Sequence, residues 1–340
     1  MIQMKLMELD LPALKLRSEM LELLQREEYG YLPEKPEKVE FERTLLQGDH
    51  FCMAGKAEMY SLKIKSVING MEFVFPASLV IPKKEGTFPF FVHIAFSNHV
   101  PDRYMPTEEI IDNGYAVLSF YYEDVTKDNS DFSDGLAGIL HPDGKRIQTD
   151  AGKLAMWAWA AHRMMDYAET DNRLDNTKSC VCGHSRLGKT ALLAGATDTR
   201  FAVSWSNDSG CSGAAITRNK RGEDVYEITQ RFPYWFCENY FKYRHNEQNM
   251  PFDQHFLLAS IAPRKVYVSS AEDDVWADPV SEFLCCVASG SAFKNGFIHG
   301  EKLPATGELL HQGDIGYHVR KGAHFMSRDD WKCVMEYLKR

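Results

Sequence analysis

The chain has 340 residues, of which 44% are hydrophobic, 26% charged and 12% aromatic, and its formal net charge is -9. These are the values of a folded protein and exclude intrinsic disorder. The acidic balance leaves no basic block to displace phosphate counterions, so no nucleic-acid partner is expected.

No run approaches the roughly 18 consecutive apolar residues of a membrane-spanning helix, and no membrane contact is expected. The N-terminus, MIQMKLMELDLPALKLRSEM, interrupts its apolar residues with Lys5, Glu8, Asp10 and Lys15. It lacks the unbroken apolar stretch of a signal peptide, and the expected location is cytoplasmic. Residues 17–29 (RSEMLELLQREEY) predict an amphipathic helix, ended by Gly30, Pro33 and Pro36. Two β-rich runs, 58–68 and 72–81, flank Asn69-Gly70 and predict a hairpin.

From Phe88 the texture becomes apolar strands alternating with helices. Strands are predicted at 89–95, 115–121, 178–183, 201–206, 265–270 and 314–319, and helices at 106–113, 151–168, 187–198, 278–289 and 327–338. This pattern predicts an α/β fold, a mostly parallel sheet covered by helices on both faces. No linker or repeat divides the chain. One domain over 1–340 is expected, with residues 1–87 a helix and antiparallel hairpin extending the same sheet.

The eight cysteines (Cys52, Cys180, Cys182, Cys211, Cys237, Cys285, Cys286 and Cys333) form no C-x-x-C, and the twelve histidines form no H-E-x-x-H. No disulfide framework, metal site or cofactor is expected.

Chemistry concentrates in Gly183-His184-Ser185-Arg186-Leu187-Gly188-Lys189, where an apolar strand gives way to a helix. A serine between glycines at that junction fits a nucleophile elbow, although the second glycine comes one residue later than in G-x-S-x-G. The plain alternative is a serine N-cap. Gly183 to Thr190 also fits the G-x-x-x-x-G-K-T spacing of a P-loop, but the nucleophile elbow is preferred and no P-loop is expected.

A nucleophilic serine needs a base, and the base a carboxylate; in this fold the chain order is Ser, acid, His. Asp274 follows the strand at 265–270 and is the first candidate acid, with Glu272 and Asp273 beside it as alternatives, while Asp208 after the strand at 201–206 is a further one. His324 falls in the loop after the last strand and is the candidate base. Arg186 adjoins the serine and can carry positive charge to an oxyanion. His184 also adjoins it, but a tight turn sends its side chain elsewhere. An aromatic cluster at Phe232-Pro233-Tyr234-Trp235-Phe236, Tyr240, Phe241 and Tyr243, with Trp276, suits either a core or a sugar platform.

With these residues placed, about residues 178–335 resemble the glucuronoyl esterase family of serine carbohydrate esterases and its bacterial acetylxylan-esterase-like relatives. The resemblance rests on G-H-S-R-L-G-K at 183–189, Asp208-Ser209-Gly210, Pro251-Phe252-Asp253-Gln254-His255, Ala262-Pro263-Arg264 and Trp276. It implies an α/β-hydrolase with Ser185 as nucleophile, His324 as base and Arg186 at the oxyanion. It also implies sugar contacts from Lys189 and Trp276, and places Glu223 and Arg231 near the family's uronate-binding Gln and Glu. Many fungal members carry a disulfide between the residues before the nucleophile and after the histidine; here those are His184 and Phe325.

The function expected is a serine carboxylic-ester hydrolase acting through an acyl-enzyme on acetylated xylo-oligosaccharide or glucuronoyl esters, an ester substrate being its one expected partner. A serine peptidase, and a non-catalytic carbohydrate-binding protein on an esterase scaffold, are the alternatives.

Overall fold

A computed structural model describes residues 2–47 and 53–340, so Cys52 lies outside the described residues. The chain begins with α1 (Ile2–Glu8), which the sequence pattern does not predict, and α2 (Arg17–Leu24). Helix α2 widens into a π-turn over Gln25–Tyr29 before Gly30, at φ 81°, stops it. The helix expected over 17–29 thus changes its winding partway, and three successive side chains, Glu27, Glu28 and Tyr29, are buried there.

Three antiparallel strands follow: β1 (Lys38–Leu45), β2 (Ala57–Ile68) and β3 (Met71–Pro82). Asn69 and Gly70, at φ 52° and 72°, make the β2–β3 turn with the positive φ at both positions that a type I′ hairpin requires. Next come β4 (Phe88–Ala95), α3 (Thr107–Asp112), β5 (Ala116–Tyr121), α4 (Gly135–Leu140) and α5 (Lys153–Ala168). They are followed by β6 (Leu174–His184), α6 (Arg186–Thr197), β7 (Val203–Asn207), α7 (Val225–Arg231) and α8 (His255–Ala259). The chain closes with β8 (Lys265–Ala271), α9 (Pro279–Ser289), β9 (Leu309–Leu310), β10 (Ile315–Arg320) and α10 (Arg328–Leu338).

All ten strands share one sheet in the order β1-β2-β3-β5-β4-β6-β7-β8-β10-β9. Pairing is parallel from β5 through β4, β6, β7 and β8 to β10, and antiparallel at both ends. The central strands bury both faces, which is why they read as unbroken apolar runs. On β4, Phe90, Val92 and Ile94 face the side covered by α5 and α6, while Phe91 joins Ile110, Trp205 and Trp331 on the α3 and α10 side. Helix α5 lies so deep that every residue but Asp166 is buried. None of the described helices is long and apolar enough to cross a membrane.

One buried group makes stability depend on pH. Glu282 of α9 is fully buried, and accepts from Gly210 N (2.9 Å) and Ser270 Oγ (2.5 Å). Burial pushes its carboxyl from 4.5 up to about 7. Over that interval the folded chain keeps a proton that the unfolded chain has lost, so stability falls as pH rises from 4.5 through about 7. Glu28, raised by burial to about 8, acts in the same direction. Glu282→Gln cannot ionise and is expected to flatten the fall of Tm from pH 5 to 8 by about a few degrees, measured by thermal unfolding across that range.

Candidate active site

Adjacent parallel strands β6, β7, β8 and β10 end on one edge of the sheet, and each hands on to a loop that carries a candidate residue: Ser185, Asp208, Asp274 and His324. Ligand sites of open α/β sheets lie on this carboxyl edge.

Ser185 sits at φ 59° and ψ -127° between β6 and α6, the strained turn of a nucleophile elbow. Two glycines make the turn possible. A Cβ on Gly183 would lie 2.3 Å from Leu187 O, and one on Gly188 would meet Ser206 Oγ at 3.0 Å and Ser209 Cβ at 3.1 Å. The second glycine is therefore needed where α6 crosses the end of β7. The position one residue earlier belongs to Leu187, which is fully buried in the core.

His324 Nε2 lies 2.9 Å from Ser185 Oγ, and its Nδ1 lies 2.5 Å from Asp274 Oδ2. Asp274 is 5% exposed, and its second oxygen accepts from Ala277 N at 3.1 Å. Burial alone would raise this carboxyl. The hydrogen bond and charge of His324, helped by the Ala277 N–H, outweigh it and hold Asp274 below the usual range.

Of the candidate acids, it is Asp274 that the geometry joins to the histidine. Asp208 turns its Oδ2 to Arg320 Nη2 (3.4 Å) and Phe325 N (3.3 Å), and its Oδ1 is buried with no hydrogen-bond partner. Burial, with Glu282 and Asp330 nearby, pushes its carboxyl well above the usual range despite Arg320. Asp208, Asp274 and His324 each offer one ligand atom within 4.8 Å of the others, a donor set of the kind divalent cations use. Two of the three are already bonded to each other.

The loop bearing His324 is held from below. The Arg320 guanidinium donates to Lys321 O, Ala323 O and Phe325 O and to Asp330 Oδ2 of α10. From above, Tyr104 packs between His184 and Phe325, with ring centroids 5.0 Å away on each side. Tyr104 O in turn accepts from Trp331 Nε1 at 2.8 Å, which ties this loop to α10.

Arg186 is ion-paired with Asp128, a residue that sequence reasoning missed. Asp128 also accepts from Tyr122 OH (2.9 Å), and its other carboxylate oxygen from Trp235 Nε1 (2.7 Å). Its loop is anchored by the buried Lys153 of α5, whose Nζ donates to Lys127 O and Asp131 O at 2.5 Å each. The guanidinium lies 4.8 Å from the centre of the Trp235 ring and 5.3 Å from that of Phe232. Asp128 had no motif around it; its signal is a contact across 58 residues of chain.

A cavity of ≈ 340 Å³ opens beside Ser185, lined among others by Arg186, Lys189, Glu223, Arg231 and Trp276. The implied sugar contacts thus all reach one cavity, but not as free groups. Lys189 is 4% exposed and its Nζ donates to Ser209 O (2.5 Å) and Cys211 O (2.6 Å), with Glu223 at 3.5 Å. The Arg231 guanidinium covers the Trp276 ring at 4.7 Å. The aromatic cluster serves both readings: Tyr240 and Tyr243 are core, whereas Phe232 and Trp235 also line the cavity.

The sheet order, the elbow and the Ser–His–Asp array on the carboxyl edge define an α/β-hydrolase. The family model for fungal glucuronyl esterases matches residues 64–295, and the chain belongs to the glucuronyl esterase family. It is 40% identical over 235 residues to carbohydrate esterase MZ0003 from an unknown prokaryotic organism, covering 68% of this chain and 54% of that protein. It is 29% identical over 278 residues to a 4-O-methyl-glucuronoyl methylesterase of Podospora anserina, covering 78% and 53%. The chain therefore spans about half the length of these curated relatives. Among solved structures, a glucuronoyl esterase from Solibacter usitatus superposes with a TM-score of 0.86 at 31% identity, over 96% of this chain and 92% of that one. A promiscuous CE15 esterase from a marine bacterial metagenome gives 0.83 at 32%, over 95% and 90%. The likeness read in about residues 178–335 extends to nearly the whole fold.

Proposed function

We propose that this chain is a serine carboxylic-ester hydrolase acting on esters of plant cell-wall carbohydrate, with glucuronoyl esters as its first substrate class. The observation that carries the reading is the array of Ser185, His324 and Asp274 at 2.9 and 2.5 Å beside a cavity lined by charged and aromatic groups. His324 Nε2 takes the Ser185 proton as Oγ attacks the ester carbonyl, and Asp274 holds the imidazole with Nδ1 protonated. The Arg186 guanidinium and the free amides opening α6 stabilise the oxyanion. His324 returns its proton to the leaving alcohol, and water releases the acid from the acyl-enzyme.

Acetylated xylo-oligosaccharide is the second substrate, favoured by Arg231 lying over Trp276 where a uronate contact is implied. A peptidase would favour an added lid or propeller, whereas the first 82 residues place three strands in the main sheet. The assembled array is at odds with a non-catalytic scaffold. The seven described cysteines are free thiols, which goes with a reducing compartment as part of this proposal.

A competition assay tests the substrate. Acetylated xylo-oligosaccharide and an alkyl ester of 4-O-methylglucuronate are mixed with enzyme, and NMR follows acetate and free uronate against a Ser185→Ala blank. Uronate release supports the first reading and acetate alone the second; neither product above the blank overturns both. Asp128→Ala, which frees the Arg186 guanidinium, is expected to lower kcat about 10–100-fold with KM within about threefold. An unchanged kcat would remove Arg186 from the oxyanion.

A further inference from the structure

His184 ends β6, and the alternation of the strand sends its side chain behind the nucleophile rather than into the cavity. There it meets the other histidine of the site: the ring centroids of His184 and His324 are 4.4 Å apart, with the planes tilted by 42°. His184 is 2% exposed, Tyr104 packs on it at 5.0 Å, and its Nδ1 lies 2.6 Å from Asn207 Oδ1.

The protonation of this buried ring follows from the groups beyond it. The Ser269 hydroxyl lies 2.8 Å from Trp205 Nε1, 2.9 Å from Asn207 Nδ2 and 3.5 Å from Ser206 O. The Trp205 indole can only donate to the Ser269 oxygen, and the Asn207 amide turns its Nδ2 to the same oxygen, which leaves the single Ser269 proton for Ser206 O. The same oxygen takes an Asn207 amide proton, which turns Asn207 Oδ1 towards His184. The imidazole must therefore donate from Nδ1. All the protein groups in this chain are fully buried, and they rest on the paired strands β6, β7 and β8 through the registers His184–Asn207 and Asn207–Ser269.

We infer that His184 is a positioning residue for His324: a neutral, Nδ1-protonated imidazole whose ring backs the base and stays uncharged when His324 becomes an imidazolium. The inference rests on the proposed roles of Ser185 and His324. A second positive ring at 4.4 Å would oppose the charge that His324 must take up. Burial, then the charge of His324, push His184 down to about 3, against the Asn207 bond and the carboxylates of Asp330 and Asp274.

A fluorophosphonate probe reads this without assuming a substrate: Ser185 Oγ bonds to phosphorus, fluoride leaves, and His324 Nε2 takes the hydroxyl proton. His184→Phe keeps a neutral ring and should label within about threefold of wild type, whereas His184→Ala should label about 10–100-fold more slowly. Asn207→Asp exchanges the amide for a carboxylate that charges His184. It should slow labelling at least about tenfold and move the acid limb of the rate–pH profile to lower pH, because His324 then resists protonation. Histidine nitrogen NMR of Ser185→Ala should show one ring, absent from Ser185→Ala/His184→Phe, protonated at Nδ1 and bare at Nε2 throughout pH 5 to 8. Wild-type labelling rates in His184→Ala, or a His184 ring that titrates in that range, would overturn the inference alone. An unlabelled wild type would overturn the serine reading and this inference with it.

Discussion

Ester turnover by Ser185→Ala is expected to fall about 10⁴–10⁶-fold, the loss seen when a serine triad is emptied of its nucleophile. The side chain contributes the attacking Oγ, which His324 Nε2 approaches at 2.9 Å, and no described neighbour offers a second hydroxyl to that nitrogen. Arg186 and the cavity walls remain in the variant, so ester binding should be retained, and isothermal titration with an uncleaved ester would show it. Tm should hardly move, because alanine keeps the positive-φ backbone at 59°. Ser185→Gly is the contrasting variant: equally inactive, but relieved of backbone strain of about 1–3 kcal/mol, and so more stable. Activity of Ser185→Ala within about tenfold of wild type would end the nucleophile assignment.

The second large effect separates the two aspartates. Asp274→Asn is expected to lower kcat about 10⁴-fold, and Asp208→Asn less than about tenfold. At 274 the Ala277 N–H requires an acceptor at Oδ1, so asparagine keeps its carbonyl there and turns its NH₂ to His324. His324 Nδ1 must then accept, which leaves the proton on Nε2, facing a serine it should deprotonate. At 208 the carboxyl is already pushed towards its neutral form and accepts from Arg320 and Phe325 N through one oxygen. An amide carbonyl does the same. A larger loss at 208 than at 274 would reverse the assignment.

The parallel core was legible because strands buried on both faces leave continuous apolar runs, and the observed bounds of β4, β5 and β8 each differ from the expected ones by one residue at one end only. Strand β1 was invisible for the opposite reason. KVEFERTL lies on the sheet edge with mostly exposed or half-exposed side chains, and a charged edge carries no hydrophobic signal. Helices α4, α7 and α8 span only a turn or two, too short for periodicity to register. Within the site, Ser185, Asp274 and His324 were readable because each follows a strand in the chain order of this fold. The choice between Asp208 and Asp274 was not, since both follow neighbouring strands and only the approach of His324 distinguishes them. Asp128 and Tyr104 lay beyond sequence reasoning altogether: each reaches the site residues Arg186 or His184 across more than fifty residues of chain, from a loop without a motif.

The ring of Tyr104 packs between His184 and Phe325, the two positions at which the family resemblance implies a disulfide in many fungal members. A joint made of three packed rings has no reduction potential. Glutathione cannot open it, and an oxidant finds no thiol there to close. The cysteine nearest in sequence, Cys182, is fully buried, and burial raises its thiol well above the usual range, so little reactive thiolate is on offer. The approach of His324 to Ser185 is thereby held without any bond that the redox state of the surroundings could make or break.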